Sequence, residues 1–476
     1  MPKDLRSFMA EVVEQQPGAI RRVDVPVDPR FGITAYGARA DREREYPALL
    51  FTDVIGSDLP CVANLLATPQ RLALALGRSV DELTRSSDRI ESRQAYPPVQ
   101  VEPADAPVKQ IIWRGEDIDL SRLPIPVHNA LDGGPFLTAA VAVMRDPESK
   151  RINAGIYRHH VYDARHMGVW FFGSHHGGTI HRRYEAMGEP TPVAIVIGHH
   201  PAFLMGAVSR VPGIGGEYDA AGSFLGESLE VVAAETSDLL VPARAEIVLE
   251  GVILPGEQRE EGPFAEWPGH YVGGGPKPVI RIDAVTMREG AIFQDIQASG
   301  REHRLMGALP RIASIHKNVS QVIPGLKAVN VPVYARMHCY LSIRKEQDND
   351  PIRAATTALN TEPENLRMVV VVDDDIDIYN EEEMAWAIGT RMDAAQDLLV
   401  IPQWNGPGGL LPTNWAYDSD GNRTARRSSA VIIDATKPAP PVKFPVRAQV
   451  PADIVDDVDL ATARPVTSTE ELPWLG

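Results

Sequence analysis

The sequence predicts an α+β protein in which a strand-rich domain, a barrel or a heavily twisted sheet, is joined by a helix to a C-terminal α/β domain. Three observations predict this class. Residues 106–308 carry short β-prone segments, such as "PVAIVIG" and "KPVIRIDAVTM", separated by Gly, Pro and Asp clusters. Residues 309–328 carry an apolar stripe at helical spacing. In residues 329–476 strand-like and helix-like segments alternate, which is typical of an α/β domain.

The first 105 residues form a mixed α/β region of their own. Its opening, "MPKDLRSFMAEVVEQQPG", predicts an amphipathic helix, because four apolar residues recur at helical spacing. These are Leu5, Phe8, Met9 and Val12. The apolar run "YPALLF" and the helical stretch "LLATPQRLALALG" follow, and the Pro-rich "YPPVQVEPADAPVKQ" then predicts a linker. A domain boundary is therefore expected near residue 105.

The helix at 309–328 and the segments after it define the C-terminal part. Pro310 suits the first position of a helix, so the linking helix is expected to start there. "MVVVVDDDIDI" predicts a buried strand, and "DLLVIP" predicts the next one. Between them "NEEEMAWAIGTRM" predicts a helix, with Asn380 and Glu383 at capping-box spacing. The Pro- and Asp-rich tail after residue 437 predicts a loosely held extension.

Composition limits the possible partners and compartments. A chain of 476 residues predicts two or three domains. The formal net charge of −17 argues against nucleic acid or an anionic membrane as a partner. With two distant cysteines, no CxxC, no secretion signal and no apolar stretch of membrane-spanning length, a cytoplasmic protein is expected. No GxxxxGK[ST], GxGxxG after a strand, GxSxG or HExxH motif occurs, which disfavours four common enzyme classes.

Two acids, Glu261 and Glu266, flank a Gly-Pro-Phe-Ala insert in "EEGPFAEWPGHY". In a strand their odd spacing would send the side chains to opposite faces, and in a helix they would lie far apart around the axis. Only a shaped loop could direct both at one point, and Gly262-Pro263 is suited to such a loop. The alternative is a surface turn with solvated acids.

Histidines and acids also form clusters that could bind a metal. Most of the histidines fall within "RHH", "SHHGGTIH" and "GHHP", which lie in one window of the chain. They could supply metal ligands, or they could be paired histidines that cap strand ends. The acids of "DDDIDI" pose the same choice, and their position after a predicted strand favours a solvated strand end.

Taken together, the ordered motifs "NAGIYRHHVYD", "SHHGGTIH", "GEYDAAGSFLGESLEVV", "EEGPFAEWPGHY", "MVVVVDDDIDI" and "SAVIIDATKP" resemble those of the UbiD family of reversible decarboxylases. The resemblance covers about residues 110–435. It implies a split β-barrel cofactor-binding domain, a joining helix and a C-terminal α/β domain with oligomerisation contacts. It also implies non-oxidative, reversible decarboxylation of an aromatic or heteroaromatic acid through a covalent adduct with prenylated FMN.

The resemblance implies a divalent metal that holds the cofactor phosphate, with Asn153, His176 and Glu217 as its ligands. An amide oxygen, an imidazole and a carboxylate suit Mn²⁺ or Mg²⁺ better than structural zinc. The family also implies a K⁺ ion nearby. His175 competes with His176 for the ligand position, and the spacing to Arg158 and His181 favours His176.

The catalytic trio implied by the resemblance is Glu261, Arg158 and Glu266. Decarboxylation leaves electrons on an sp² carbon, which needs an electron sink that side chains do not provide. Arg158 would hold the substrate carboxylate and bind near the cofactor, Glu261 would pair with it, and Glu266 would donate a proton after CO₂ has left. Ala265 stands where many relatives have Gly.

The segment "SGREHRLMGALPRIAS" predicts the substrate pocket. His303 and Arg311 resemble the pair found in family members that act on a furan dicarboxylate, and Arg311 is expected in the first turn of the linking helix. The chain is thereby assigned to the heteroaromatic-acid branch, with furan, pyrrole or indole acids as substrates. The alternative is a solvated helix-start arginine and a histidine that donates within a loop.

The resemblance further implies a homodimer or homohexamer and a flavin prenyltransferase that supplies the cofactor. Two other functions stay open at this point. One is a non-catalytic flavin-binding or assembly subunit of a decarboxylase complex, against which the complete Glu-Arg-Glu trio argues. The other is a metal-dependent hydrolase built on the histidine cluster, which would need a third close ligand and an activated water.

Overall fold

The computed structural model describes residues 3–85, 96–171, 175–209, 214–404, 411–417, 419–420, 423–425, 427–463 and 466. Ser174 of the "SHHGGTIH" motif and the end of the predicted tail, 467–476, lie outside the described residues. Helices and strands are mixed along the chain, which confirms the α+β class. Within the described ranges, no helix combines the length and apolar character needed to cross a bilayer.

The α-helices of the described residues are α1 (Leu5–Gln15), α2 (Gly32–Glu43), α3 (Pro69–Ala75), α4 (Val80–Arg85), α5 (His176–Met187), α6 (Pro201–Ala207), α7 (Glu217–Leu225), α8 (Arg301–Val322), α9 (Asp350–Thr361), α10 (Glu381–Arg391) and α11 (Ala452–Asp456). The strands up to the middle of the chain are β1 (Ile20–Val23), β2 (Ala48–Phe51), β3 (Cys61–Ala63), β4 (Val99–Gln100), β5 (Ile111–Arg114), β6 (Phe136–Leu137), β7 (Val141–Arg145), β8 (Ile152–Ile156), β9 (His159–Val161), β10 (His166–Val169), β11 (Thr191–Ile197), β12 (Glu230–Ala233) and β13 (Leu240–Pro242). The later strands are β14 (Ile247–Glu260), β15 (Pro263–Ala265), β16 (Tyr271–Gly273), β17 (Pro276–Met287), β18 (Phe293–Gln294), β19 (Leu326–Asn330), β20 (His338–Ile343), β21 (Met368–Asp373), β22 (Leu398–Ile401), β23 (Trp415–Tyr417), β24 (Arg423–Ala425) and β25 (Ala430–Ala435).

Helix α1 ties the N-terminal region to the rest of the molecule. Asp4 caps it, and the Asp4 and Ser7 side chains satisfy each other's backbone N–H groups. The predicted apolar stripe packs inward, with Leu5 and Phe8 fully buried. Arg6 forms an ion pair with the buried Glu246 at 2.9 Å. The predicted first helix is thus confirmed, and its polar face binds the adjacent domain.

The N-terminal region contains a small sheet with strand order β1-β2-β3-β18. The first three strands come from the start of the chain, whereas β18 follows the central domain. β18 pairs in parallel with β3, where Phe293 lies opposite Cys61. This sheet is therefore shared between two distant parts of the sequence.

The central domain is a nine-stranded sheet with the order β6-β9-β10-β17-β14-β11-β7-β8, and β5 pairs with β17. Strand β11 is apolar after Thr191, its first residue, because both of its faces are covered. Val193 and Ile195 belong to one hydrophobic core, and Ala194 and Val196 belong to another. A β-bulge follows Glu250, where β14 pairs with β17. Such bulges bend a sheet, as the predicted barrel or heavily twisted sheet requires.

Helix α8 corrects two sequence-based predictions. It runs from Arg301 to Val322, so it begins before the predicted 309–328 and carries Pro310 in its interior. Arg311 is consequently in mid-helix and has no free helix N-terminus beside it. A proline inside a helix costs about 3 kcal/mol. Burial of neighbouring residues on α8, such as Leu305 and Met306, offsets this cost, because each buried apolar side chain contributes about 1.5–3 kcal/mol.

The C-terminal domain has a five-stranded sheet with the order β19-β20-β21-β25-β22. Its three central strands are parallel, and both edge strands are antiparallel to their neighbours. Asn380 caps α10 as predicted, accepting from the backbone of Glu382 and Glu383, but the Glu383 carboxylate accepts from Asp377 N instead of closing a capping box. The strand, helix and strand predicted from "MVVVVDDDIDI" to "DLLVIP" are present.

The acids of "DDDIDI" are held by basic side chains. Arg391 contacts both Asp373 and Asp375 at 2.8 Å, and Lys437 also contacts Asp375 at 2.8 Å. Asp373 and Asp375 are therefore ion-paired within the protein. Their contacts connect the end of β21 to α10 through Arg391, and to the segment after β25 through Lys437.

Candidate active site

One arginine binds both acids of the "EEGPFAEW" stretch. Arg158, between β8 and β9, donates from Nε and Nη2 to the two oxygens of Glu261, at 3.0 and 2.6 Å. Its Nη1 donates to Glu266 Oε1 at 2.8 Å. Arg158 is 8% exposed and Glu261 only 1% exposed. This bidentate contact with Glu261 fixes the plane of the Arg158 guanidinium and also compensates its charge.

A short hairpin explains how two acids at an odd spacing reach the same arginine. Glu261 follows β14, and β15 then pairs with β16. The backbone N–H of Glu266 donates to His270 O at 3.0 Å, which turns the chain at the hairpin tip. Gly262 lies against the backbone of Gly133, where a Cβ would be only 2.4 Å from the opposing Cα. The predicted shaped loop is therefore a hairpin held by a glycine–glycine contact.

Aromatic rings complete the surroundings of Arg158. Its guanidinium carbon lies 3.9 Å from the Trp170 ring centroid and 4.9 Å from that of Phe264. Rings at this distance attract the cation and exclude water. Arg158 and Glu266 both line a cavity of about 390 Å³.

Gly273, at the end of β16, gives a test of how closely Arg158 is held. A Cβ there would lie 2.6 Å from Arg158 Nη2, whereas nothing lies within 4 Å of a Cβ at Gly274. Both glycines have positive φ, 110° and 87°, so alanine strains the backbone at either position. We expect Gly273→Ala to lower kcat/KM for decarboxylation about tenfold more than Gly274→Ala, because only the former displaces Arg158. Equal losses in the two variants, measured at matched cofactor content, would show that backbone strain alone is responsible.

A second cavity of about 390 Å³ contains the predicted metal ligands. Asn153 on β8 donates from Nδ2 to Glu217 Oε1 at 2.9 Å, and Glu217 is the first residue of α7. His176 Nδ1 lies 3.7 Å from the same Glu217 oxygen. The structure thus brings together Asn153, His176 and Glu217, which come from three separate elements.

The donor atoms of this second cavity fit a cation. Asn153 Oδ1 and Glu217 Oε2 are buried, and neither has a hydrogen-bond partner among the described residues. Burial raises the pKa of Glu217, because desolvation disfavours its charged form. A divalent ion would satisfy both oxygens and restore the charged carboxylate. The two cavities adjoin, sharing Ile156, Tyr157, His175 and Val208 as lining residues.

The other histidines of the sequence cluster do not converge on this site. His159 and His200 are buried elsewhere, and burial lowers the pKa of each to about 3, so both are neutral. His160 stacks on Phe136 at 4.5 Å between ring centroids. His175 lines both cavities. Only His175 and His176 of the cluster therefore compete for the ligand position, and the preference for His176 stays a prediction.

The predicted substrate residues His303 and Arg311 both line the first cavity, together with Arg158 and Glu266. Arg311 donates from Nη2 to Asn365 Oδ1 at 2.9 Å, and its Nε lies 3.6 Å from Glu362 Oε2. Burial is the main reason that the pKa of His303 falls to about 3, and nearby Arg336 adds to this effect. His303 is consequently a neutral imidazole of intermediate exposure, whereas Arg311 is buried.

Sequence reasoning missed several residues of this cavity. Trp267 directly follows Glu266 and could have been included from its position alone. Arg336 and Asn365 come from the C-terminal domain, from segments without a motif. No local pattern points to them, because they reach the cavity only through the docking of that domain on α8.

Comparison with protein families gives three matches along the chain. The N-terminal domain of 3-octaprenyl-4-hydroxybenzoate carboxy-lyase matches residues 14–89, its Rift-related domain matches residues 99–301 and its C-terminal domain matches residues 304–434. The first two matches are named UbiD_N and UbiD and the third UbiD_C. They follow one another in the order of the three structural regions.

Solved structures give the same result. The UbiD-class enzyme HmfF from Pelotomaculum thermopropionicum, in complex with FMN, is 34% identical, with a TM-score of 0.88 over 97% of this chain and 100% of that one. An evolved dimeric form of HmfF in complex with prenylated FMN is 33% identical, with a TM-score of 0.85 and the same coverage. Apo 3,4-dihydroxybenzoic acid decarboxylase (AroY) from Klebsiella pneumoniae is 29% identical, with a TM-score of 0.83 over 96% of this chain and 99% of that one.

Proposed function

The chain belongs to the UbiD family of carboxy-lyases, and from this premise we propose that it decarboxylates a heteroaromatic acid with the help of prenylated FMN, a divalent metal and K⁺. The observation that carries the proposal is the Glu261–Arg158–Glu266 cluster, in which Glu261 and Arg158 are buried and Arg158 and Glu266 line the first cavity. Beside this cavity lies a second one with oxygen donors that lack partners. One cavity suits the acid, and the other suits the metal and the cofactor phosphate.

The cofactor would be held mainly through its phosphate. Asn153, His176 and Glu217 would bind Mn²⁺ or Mg²⁺, which in turn would neutralise the phosphate charge. Helix α5 begins at His176, and the N–H groups of its first turn favour an anion. Prenylated FMN, when bound, supplies the electron sink that decarboxylation at an unsaturated carbon requires.

Arg158 would bind the substrate carboxylate that is lost as CO₂. Glu261 accepts hydrogen bonds from two N–H groups of Arg158 and partly neutralises its charge. These two bonds prevent the guanidinium from rotating away from the cavity. Trp170 and Phe264 keep water from its faces. The carboxylate is thereby desolvated and oriented before the C–C bond breaks.

Glu266 would supply the proton that replaces CO₂. Its contact with Arg158 uses one oxygen, and its side chain is 14% exposed toward the cavity. Glu261, with an exposed fraction of zero for its side chain, is held by two bonds instead. The two acids thus have different environments, which suits one fixed carboxylate and one that exchanges protons.

The substrate is proposed to carry a second polar or anionic group, because the cavity contains buried arginines beyond Arg158. Arg311 lies 5.3 Å from the Trp267 ring centroid and is 7% exposed. A purely apolar ring beside such cations would leave their charge poorly compensated. His303 Nδ1 accepts a hydrogen bond from Ser299 N at 3.3 Å, so in the neutral imidazole Nε2 carries the proton and can donate one hydrogen bond. Assembly as a homodimer or homohexamer, and a domain boundary near residue 105, remain predictions.

A side-by-side assay of acids tests the substrate class. The protein is co-expressed with a flavin prenyltransferase, and mass and absorption spectra establish the bound cofactor. We expect turnover of furan-2,5-dicarboxylate to exceed that of cinnamate by at least about tenfold, because its second carboxylate compensates the cationic cavity. Pyrrole-2-carboxylate, a monoacid like cinnamate, tests whether a polar ring is sufficient. Indole-3-carboxylate tests the size limit of the cavity. Turnover of cinnamate alone would contradict the proposed class, and bound prenylated FMN without turnover of any acid would favour a non-catalytic subunit.

A further inference from the structure

The hairpin of β15 and β16 is held along one edge by a loop, residues 129–134. Gly133 N donates to Pro263 O at 2.8 Å, and Asp132 Oδ1 accepts from Ala265 N at 3.0 Å. Pro263 and Ala265 are two positions apart in β15, so their backbone groups point to the same edge of the strand. The loop therefore binds the edge of β15 opposite β16.

One carboxylate of this loop connects the loop to the hairpin. Asp132 also accepts from Asn129 N at 2.7 Å through Oδ2, so it fixes the turn of its own loop. Burial raises the pKa of Asp132, and its bonds from the N–H groups of Ala265 and Asn129 oppose this rise. Without Asp132 the N–H of Ala265, a residue that is 5% exposed, would lose this acceptor. A buried N–H group without an acceptor is costly, so the backbone at Ala265 depends on this carboxylate.

Ala265 directly precedes Glu266, the acid that Arg158 contacts only once. Glu266 accepts one bond from Arg158 at 2.8 Å and one from the N–H of Trp267 at 3.3 Å. Its own backbone N–H donates to His270 O at 3.0 Å. The N–H groups of Ala265 and Glu266 are thus both bound, the first to the loop and the second across the hairpin. These two bonds fix the backbone from which the Glu266 side chain extends.

We propose that Asp132 is a positioning residue for decarboxylation, which holds the backbone at Ala265 and thereby places the Glu266 carboxyl for proton delivery. This inference rests on the proposed function, in which Glu266 is the proton donor. A proton donor acts only within hydrogen-bond reach of the atom that it protonates, so a small displacement is sufficient to slow the step. Arg158 keeps both of its bonds to Glu261 when Asp132 is lost, so binding of the substrate carboxylate should persist.

Other contacts should keep the hairpin folded when Asp132 is replaced. Leu131 N donates to Tyr271 Oη at 3.1 Å, and Gly133 N donates to Pro263 O. Both donors are backbone groups of the loop, which a substitution of the Asp132 side chain leaves in place. Loss of Asp132 should therefore loosen one point of the hairpin without unfolding it.

The test measures kcat and KM of the flavin-loaded enzyme, with the acid that wild type turns over fastest. We expect Asp132→Ala to lower kcat about thirtyfold and to change KM by less than about threefold, at wild-type flavin content. Asp132→Asn keeps a side-chain oxygen that can accept from Ala265 N. It should therefore recover kcat to within about fivefold of the wild-type value.

Asp119→Ala is the matched control. Asp119 accepts from Ser121 N at 2.9 Å within its own loop, as Asp132 does from Asn129, and it does not line either cavity. It should keep wild-type kcat and KM. Combining Asp132→Ala with Glu266→Gln should slow turnover no further than Glu266→Gln alone, because Asp132 acts through the Glu266 carboxyl. Wild-type kcat in Asp132→Ala, or additive losses in the double variant, would overturn the proposal.

Hydrogen exchange of residues 263–271, followed by mass spectrometry, separates this inference from the proposed function, because it needs no turnover. We expect faster exchange in Asp132→Ala than in wild type and in Asp119→Ala. If exchange is faster but wild type decarboxylates no acid, the proposed activity fails and the anchoring of the hairpin by Asp132 stands. If wild type decarboxylates an acid and Asp132→Ala matches it in exchange and in kcat, the positioning role fails and the activity stands.

Discussion

Replacing Glu266 with Gln is expected to lower the rate of net decarboxylation by about a thousandfold, with the bound flavin retained. Gln is close in shape to Glu and can still contact Arg158 Nη1, which the carboxylate contacts at 2.8 Å. It has no acidic proton to deliver to the substrate carbon. The loss should therefore appear in kcat, and the flavin-to-protein ratio should stay at the wild-type value. Release of CO₂ and the absorption spectrum of the purified protein measure the two quantities.

Glu257→Gln is the control for this variant. Glu257 lies on β14 of the same segment, is partly exposed and pairs with Arg259 at 3.3 Å, away from the Arg158 cluster. It should keep wild-type turnover. Near wild-type turnover in Glu266→Gln would show that another group donates the proton.

Removing the carboxylate of Glu217 is expected to lower cofactor occupancy at least about tenfold, because a ligand of the proposed metal is lost. Metal analysis and flavin absorbance of the purified protein measure this directly, without an activity assay. His176→Ala should have a similar effect, and His175→Ala a smaller one. Equal flavin and metal content in the three variants would show that the metal binds elsewhere.

The stability of the cofactor-free protein provides a second measurement for Glu217. Burial raises its pKa in the folded state above the unfolded value, so the ionised carboxylate disfavours folding as the pH rises above that unfolded value. In the cofactor-free form near neutral pH, Glu217→Gln should therefore be at least as stable as wild type. The increase in Tm that metal and cofactor produce should be present in wild type and reduced in the variant. A cofactor-free variant with a much lower Tm would indicate a structural role instead.

The sequence predicted those features that depend on local pattern. The stripe of α1 and the apolar run of β11 follow from periodicity, and both are present. The spacing of Glu261 and Glu266 required a shaped loop, and the hairpin supplies it. The set of Asn153, His176 and Glu217 has no such local signal, since the three residues lie on separate elements. Only the resemblance to a family singled it out.

Other features depend on tertiary contacts that a single sequence does not reveal. Pro310 indicated a helix start, but burial of the preceding turn extended the helix toward Arg301. The clustered histidines suggested one site, but His159, His199 and His200 are buried and neutral instead. Arg336 and Arg311 line the same cavity only because two domains meet at α8. A single sequence does not show this docking.

The pairing of β18 with β3 has a consequence for how the chain is made on the ribosome. Cys61 pairs with Phe51 of β2 on one side and with Phe293 on the other, so this second edge of β3 stays unpaired until the whole central domain has been synthesised. At usual rates of synthesis, roughly 10 to 50 s separate the two segments. An unpaired strand edge readily pairs with other chains. We therefore expect the nascent protein to need chaperone protection during this interval, and fragments that end before residue 293 to aggregate.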